Sequence, residues 1–149
     1  MINFDQVLKD VENQYNRVII VNEDDSKEYK QFLNGSGVSI INLSAKLSEL
    51  ISGLSDEEKQ MEAWDILKSY IDGLAEDIVA FDNIDYMFSP EVGVLDPIVN
   101  FNYYSRKKKI IILFIHAKKR GNVLFYSEEG TKDYCEMDAS QNEGFLFGW

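Results

Sequence analysis

The sequence has few of the residues that build disulfides and zinc sites. Its 149 residues include one cysteine, Cys135, and one histidine, His116. A single cysteine excludes an internal disulfide and a cysteine-cluster metal site, and a single histidine excludes a zinc site made of several histidines. We therefore expect no metal site.

Long hydrophobic runs are also missing. The longest, Ile110 to Ile115, has six residues, whereas a membrane-spanning helix needs roughly 20. The first residues lack the basic region and apolar core of a signal peptide. These features favour a cytoplasmic protein that makes no contact with a membrane.

The charge is acidic overall but unevenly distributed. A net charge of −11 argues against general coating of nucleic acid, whose phosphates attract basic surfaces. Residues 105–120 nevertheless contain no acid and seven cations: Arg106, Lys107, Lys108, Lys109, Lys118, Lys119 and Arg120. This asymmetry predicts a partner surface within that segment.

Short apolar runs alternate with segments of helical periodicity. Strands are predicted at 18–21, 38–41, 77–81 and 109–115, with a fifth at the sheet edge at 123–126. A first helix is predicted to end near Asn16, and a short second helix is predicted to span about residues 27–33. Later helices are predicted to start at the capping box of Ser55 and Glu58, with Met61 and Trp64 buried, and at the Asp96-Pro97 N-cap. The alternation predicts an α/β domain with three layers: a parallel sheet with helices on both faces.

Ligand sites in such sheets lie at the carboxyl ends of the strands. The segments to consider are therefore 22–26, Asp82-Asn83 and 116–119. Asp82 follows an apolar strand, which is the context of a Walker B aspartate near magnesium and the phosphates of a nucleotide. The same position also suits an Asx turn or a helix cap.

The run from Asp77 to Pro90, which reads DIVAFDNIDYMFSP, resembles the Walker B region of BrxF, the small P-loop protein of BREX phage-defence operons. Further segments resemble that family in the same order: Asn42-Leu43-Ser44, Asp96-Pro97, Ser105-Arg106, Gly121 to Tyr126, and Tyr134. The resemblance covers residues 1–135 and implies a P-loop NTPase-like domain. Residues 136–149 remain as an acidic, aromatic C-terminal tail.

The chain departs from this family at the phosphate-binding loop. Glycines there let backbone N–H groups close around phosphate, and a lysine neutralises it. Residues 22–28 contain no glycine, and Glu23, Asp24 and Asp25 occupy the place of the triphosphate. Two unit charges about 4 Å apart interact by about 4 kcal/mol at an effective dielectric of 20, so these carboxylates oppose nucleotide binding.

The sequence thus predicts a non-catalytic interaction or regulatory subunit of a bacterial or archaeal phage-defence system of BREX type. We expect a degenerate Walker A loop, no cofactor and no catalysis. The expected partners are other proteins of the defence operon, together with self-association.

An alternative is a nucleotide-binding switch or weak ATPase that uses ATP and magnesium. Asp82 and Asn83 would then lie by the metal, Lys27 by the phosphate, and His116 in a polar sensor position, while Arg106 would complete a neighbouring subunit's site. Each residue also has a structural interpretation: Lys27 as an exposed helix lysine, His116 as a strand-end histidine bonded to backbone, and Arg106 as a solvated charge.

A third alternative is a nucleic-acid-binding accessory protein that uses the basic clusters 106–109 and 118–120. The intervening strand separates them by about 20 Å, which divides the basic surface. The terminal aromatic residues Phe145, Phe147 and Trp149 either fold back on the domain or form an exposed anchor for a partner.

Overall fold

The computed structural model describes residues 3–106 and 108–149, so the prediction for Lys107 lies outside the described residues. The helices are α1 (Phe4–Val11), α2 (Lys27–Gly35), α3 (Leu43–Ile51), α4 (Asp56–Asp72) and α5 (Pro97–Ser105). The strands are β1 (Val18–Asn22), β2 (Ile40–Asn42), β3 (Ile78–Asp82), β4 (Ile110–Ile115), β5 (Lys118–Arg120), β6 (Val123–Tyr126), β7 (Cys135–Asp138) and β8 (Leu146–Phe147).

The main sheet has five parallel strands in the order β2-β3-β4-β1-β8. Its central strand β4 is buried along its whole length, and β1 is buried from Val18 to Val21. Apolar, mostly β-branched runs of this kind suit strands that are covered on both faces. The prediction of an α/β fold with a parallel sheet flanked by helices is therefore confirmed.

Helices cover both faces of this sheet. Buried residues of α1 and α2 pack in one hydrophobic cluster with one set of side chains from β1 and β4. The alternate side chains of the same two strands pack with α3, α4 and α5 in a second cluster. Successive side chains of a strand point to opposite faces, so the two clusters form the two sides of a three-layer arrangement.

Helix starts follow the capping residues that the sequence indicates. The Ser55 side chain accepts a bond from the Glu58 backbone, and the Glu58 carboxylate accepts one from the Ser55 backbone. Asp96 accepts bonds from the amides of Ile98 and Val99 at the start of α5. Both predicted N-termini are confirmed, because each satisfies backbone donors that lack a partner in the first turn.

Two details of the predicted helices are wrong. The Met61 side chain is 74% exposed, since it lies about 200° around α4 from Ala63, a member of the buried stripe. Helix α1 ends at Val11, before Asn16, and Tyr15 beyond it is 64% exposed.

The chain after β4 forms a second sheet. Strands β5, β6 and β7 are antiparallel, so 123–126 is the middle strand of this small sheet and not the predicted edge of the parallel one. The ring of Tyr126 stacks on Phe88 at a centroid distance of 3.7 Å, which joins the small sheet to the main core. In the part of the chain that the structure describes, no helix is long and apolar enough to cross a membrane.

Candidate functional site

A crevice is expected at the carboxyl edge of the parallel sheet. Strand β1 continues into α2 on one face, whereas its neighbour β4 leads to β6 and β7, whose Leu124 and Met137 pack on the other face. Connections that leave neighbouring strands toward opposite faces open a crevice at the strand ends, where α/β proteins place their ligand sites. In this chain β4 alone separates β1 from β3, so the loops after these three strands meet there.

The loop after β1 is a closed turn. Residues Glu23–Asp25 form one turn of 3-10 helix, and the Asn22 side chain accepts a bond from the Asp24 amide. The Ser26 hydroxyl donates to the Glu23 carbonyl over 2.8 Å. This short turn leads directly into α2, so the backbone has no extended loop that could surround a phosphate group.

Lys30 occupies the space between the ends of β1 and β3. Its Nζ lies 2.6 Å from Glu23 Oε1 and 3.2 Å from Asp82 Oδ2. The amine also lies 5.1 Å from the centroid of the Phe114 ring. Burial by itself would lower the pKa of Lys30, but the hydrogen bonds and charges of Glu23 and Asp82 outweigh it and raise that pKa. The amine thus stays protonated and holds both carboxylates.

Lys27 and Lys30 differ in where α2 places them. Lys27 is exposed at the first position of the helix, whereas Lys30 lies three residues later and reaches Asp82. Sequence reasoning missed Lys30. The available signal was its position three residues after Lys27. This spacing places Lys30 about 300° around α2, which is about 60° short of a full turn, and most of one turn further along the helix.

Asp82 and Asn83 stand beside the end of β2. Asn83 has a positive φ of 48°, a left-handed conformation that asparagine tolerates better than most residues. Its Nδ2 donates to Asn42 Oδ1 over 3.0 Å, and its carbonyl accepts bonds from the backbone and side chain of Ser44. Asn83 is therefore held in a polar network that fixes the loop after β3.

His116 follows β4 and contacts the loop after β1. Its Nδ1 lies 3.1 Å from Asp24 Oδ1, and both side chains are at least half exposed. Asp82 pairs with Lys30, whereas His116 pairs with the exposed Asp24. Exposed pairs of this kind contribute little to stability.

The C-terminal tail folds back over the end of β1. Strand β8 pairs with β1, and the Asn22 side chain donates to the Gly148 carbonyl over 3.0 Å. Gly148 has a φ of 88°, and a Cβ there would lie 3.3 Å from Asn22 Cβ. The Trp149 indole N–H donates to the Ala117 carbonyl over 2.9 Å. The tail thus covers the loop after β1 and links it to the loop after β4.

The aromatic residues of the tail divide into two environments. Phe145 and Phe147 are partly buried against the α1–α2 cluster, and the Phe147 ring lies 6.3 Å from that of Phe4. Trp149 remains 40% exposed. Of the two predicted alternatives, folding back describes Phe145 and Phe147, while Trp149 is anchored by one hydrogen bond and still presents part of its ring.

Two carboxylates near this edge have a buried oxygen that lacks a hydrogen-bond partner among the described residues, namely Glu23 Oε2 and Asp85 Oδ1. Burial raises the pKa of Asp85; nearby His116 lowers it and Asp133 raises it further.

No group of three or more His, Cys, Asp or Glu side chains in residues 3–106 and 108–149 is arranged to hold a metal ion.

The predicted basic surface is split. Arg106 and Lys108 lie at the amino edge of the sheet, just before β4, and line a cleft with Lys68 and three tyrosines. The second group, Lys118, Lys119 and Arg120, forms the exposed strand β5 after β4. The opposite placement follows from the extended length of β4, which separates the two groups.

Comparisons with protein families, with characterised proteins and with solved structures found no match to this chain.

Proposed function

We propose that this chain is a non-catalytic, P-loop-like interaction subunit of a bacterial or archaeal phage-defence system of BREX type. The BrxF-like order of segments motivates the class of system. The strand order supports the P-loop-like scaffold, because it brings the ends of β1 and β3 to the same crevice, one strand apart. In P-loop proteins these ends carry the phosphate loop and the magnesium-binding aspartate.

The observation that carries the non-catalytic part of the proposal is the occupation of this crevice by the chain itself. Lys30 is paired with Glu23 and Asp82. In a nucleotide site, the lysine would contact a phosphate and the aspartate would lie by a magnesium ion. A triphosphate would have to displace Glu23, whose Oε1 lies 2.6 Å from the amine. It would also meet Asp24 and Asp25 in a turn without glycine.

The tail adds a second obstacle. Gly148 packs against Asn22 and the Asp25 carbonyl, so backbone lies over the loop where phosphate oxygens would enter. The scaffold then presents the covered edge, with the exposed part of Trp149 and the basic strand β5, to a protein partner. Partly exposed tryptophan and arginine are the residue types enriched at interface hot spots.

Two measurements test this proposal. First, thermal unfolding is followed with and without millimolar Mg-ATP. A ligand at 100 times its Kd adds about 2.7 kcal/mol of stability, so binding in the crevice would give a clear rise in Tm. We expect that Mg-ATP causes no rise in the Tm of the wild type that is lost in Asp82→Ala. The matched control for Asp82→Ala is Asp77→Ala, which removes an exposed carboxylate beside the other end of the same strand.

Second, the chain is mixed with the products of neighbouring genes and analysed by size-exclusion chromatography. We expect co-elution with at least one of them, weakened by Trp149→Ala or by Lys119→Glu. A Mg-ATP stabilisation that Asp82→Ala abolishes and Asp77→Ala preserves would overturn the non-catalytic assignment. Independent elution of every pair would overturn the interaction role.

A further inference from the structure

The amino edge of the sheet holds an aromatic and basic cleft that the proposed function does not use. Its volume is about 450 Å³, within the range of small-ligand clefts of roughly 300–1,000 Å³. The lining residues are Tyr15, Lys68, Tyr103, Tyr104, Arg106 and Lys108. They come from the segment before β1, from α4, and from the end of α5 and the segment that follows it, so only the folded chain brings them together.

Arg106 fixes the two outer rings of this cleft. Its guanidinium carbon lies 4.4 Å from the centroid of Tyr15 and 5.3 Å from that of Tyr103. Its Nε donates to Asn16 Oδ1 over 3.0 Å, and Asn16 in turn donates to Gln141. Tyr15 and Tyr103 are nevertheless 64% and 71% exposed. The arginine therefore holds two rings in place while most of their surface faces solvent.

Two lysines flank the rings. Lys108 Nζ lies 4.9 Å from the Tyr104 ring centroid and 3.6 Å from Asp72 Oδ1. Lys68 Nζ lies 3.2 Å from Asp65 Oδ1. Ion pairs as exposed as these are worth roughly 0–1 kcal/mol. An incoming phosphate can therefore replace the carboxylate at either amine at a small cost in free energy. Lys109 does not contribute, because its amine donates to the carbonyls of Leu74 and Glu76.

We propose that this cleft binds a short single-stranded segment of nucleic acid. Bases stack on Tyr15 and Tyr103, and adjoining phosphates pair with Arg106, Lys68 and Lys108. Exposed rings combined with cations that follow the backbone form the usual single-strand platform, in which each stacked base contributes about 1–3 kcal/mol. A duplex keeps its bases stacked inside, so it offers the rings nothing comparable.

The acidity of the whole chain sets the expected strength. A net charge of −11 repels phosphate at long range, so binding is weak and is seen at low salt. Each phosphate contact of a single strand contributes about −0.7 to the slope of log K against log salt. Three cations therefore predict a slope between about −0.7 and −2, shallower than that of a protein with an extended basic groove.

Fluorescence anisotropy tests this proposal with the full chain, a labelled 15-nucleotide oligothymidine and 20 mM salt. We expect saturable binding to the single strand and at least five-fold weaker binding to a duplex of the same length. Tyr15→Ala and Tyr103→Ala each weaken the single-strand affinity about five-fold or more. Arg106→Lys, which keeps the charge but loses the planar group, weakens it as well.

Two variants serve as matched controls. Trp149→Ala removes another exposed aromatic ring, and Lys119→Ala removes a cation from β5, both away from this cleft; we expect neither to change the affinity. Thermal unfolding of each variant shows whether it is folded. Undetectable single-strand binding, equal binding to duplex, or an equal loss in Lys119→Ala would each overturn the proposal. None of these results bears on Asp82 or on the protein partner.

Discussion

Replacement of Lys30 by methionine tests whether one amine holds the crevice closed. The substitution keeps an apolar side chain of similar length near the Phe114 ring and removes the charge that Glu23 and Asp82 share. Two carboxylates are then left facing each other at the end of the sheet. We expect the protein to lose stability while it keeps its fold.

The magnitude follows from the contacts. Because one amine contacts both carboxylates, their oxygens lie within about 6 Å of each other, where two unit charges repel by roughly 3 kcal/mol at an effective dielectric of 20. Removal of one partner from a fully buried pair costs about 3–5 kcal/mol. The three side chains Lys30, Glu23 and Asp82 are 24%, 18% and 29% exposed, so water screens part of this cost. We expect a loss of about 2 kcal/mol in the free energy of unfolding.

Urea unfolding at pH 7 measures this loss. Lys27→Met is the matched control, since it removes an exposed lysine from the first turn of the same helix; we expect a change below about 0.5 kcal/mol. The triple variant Lys30→Met, Glu23→Gln, Asp82→Asn removes the repulsion as well and is expected to recover most of the stability.

The pH dependence gives a second check. Because the folded-state pKa of Lys30 is raised, its stabilisation is fully present below the ordinary pKa of lysine and is lost only as the pH rises through the raised value. The reasoning is refuted if Lys30→Met and Lys27→Met lose the same stability, or if the triple variant is no more stable than Lys30→Met.

Two further substitutions test the local physics. Asp85→Asn keeps a polar side chain at this place but removes the negative charge, whose burial is the main cause that raises the pKa of Asp85; because buried charged groups cost more than neutral ones, it is expected to stabilise the protein by about 1 kcal/mol at pH 7. The pKa of Asp85 is raised in the folded state, so the wild type loses stability as the pH rises through that value. The stability advantage of Asp85→Asn in urea titrations should therefore vanish toward low pH. An advantage that is independent of pH would contradict this. Ser55→Ala is expected to cost about 1 kcal/mol by removing the N-cap of α4, while Glu58→Gln, which preserves the capping pattern, costs less; equal losses would contradict a specific role of the cap.

Local signals in the sequence were sufficient for the first four strands, for two helix starts and for the parallel type of the main sheet. Apolar, β-branched runs such as 110–115 predicted buried parallel strands, and Ser55 and Asp96 marked helix starts. These properties depend on neighbours a few residues apart, so a linear pattern contains them. The same local information placed Asp82 at the carboxyl end of its strand.

Met61 shows where the local pattern was insufficient. An apolar residue near Trp64 suggested a buried stripe, yet the face that α4 buries is set by how the helix sits on the sheet. The stripe through Ala63 faces the core, and Met61 faces solvent. Rotation of a helix about its axis is decided by packing against other elements.

The sequence by itself determined that the turn after β1 lacks glycine and carries acids, and this composition predicts that the turn does not bind phosphate. What lies at this turn was decided only by tertiary structure, because Lys30 reaches Asp82, and Gly148 reaches Asn22, only when parallel strands end at one edge of the sheet. The tail was compositionally an acidic and aromatic segment, and pairing of β8 with β1 made it part of the sheet. Contacts between residues more than 100 positions apart in the sequence, such as Asn22 and Gly148, depend on the assembled sheet, and no local pattern encodes them.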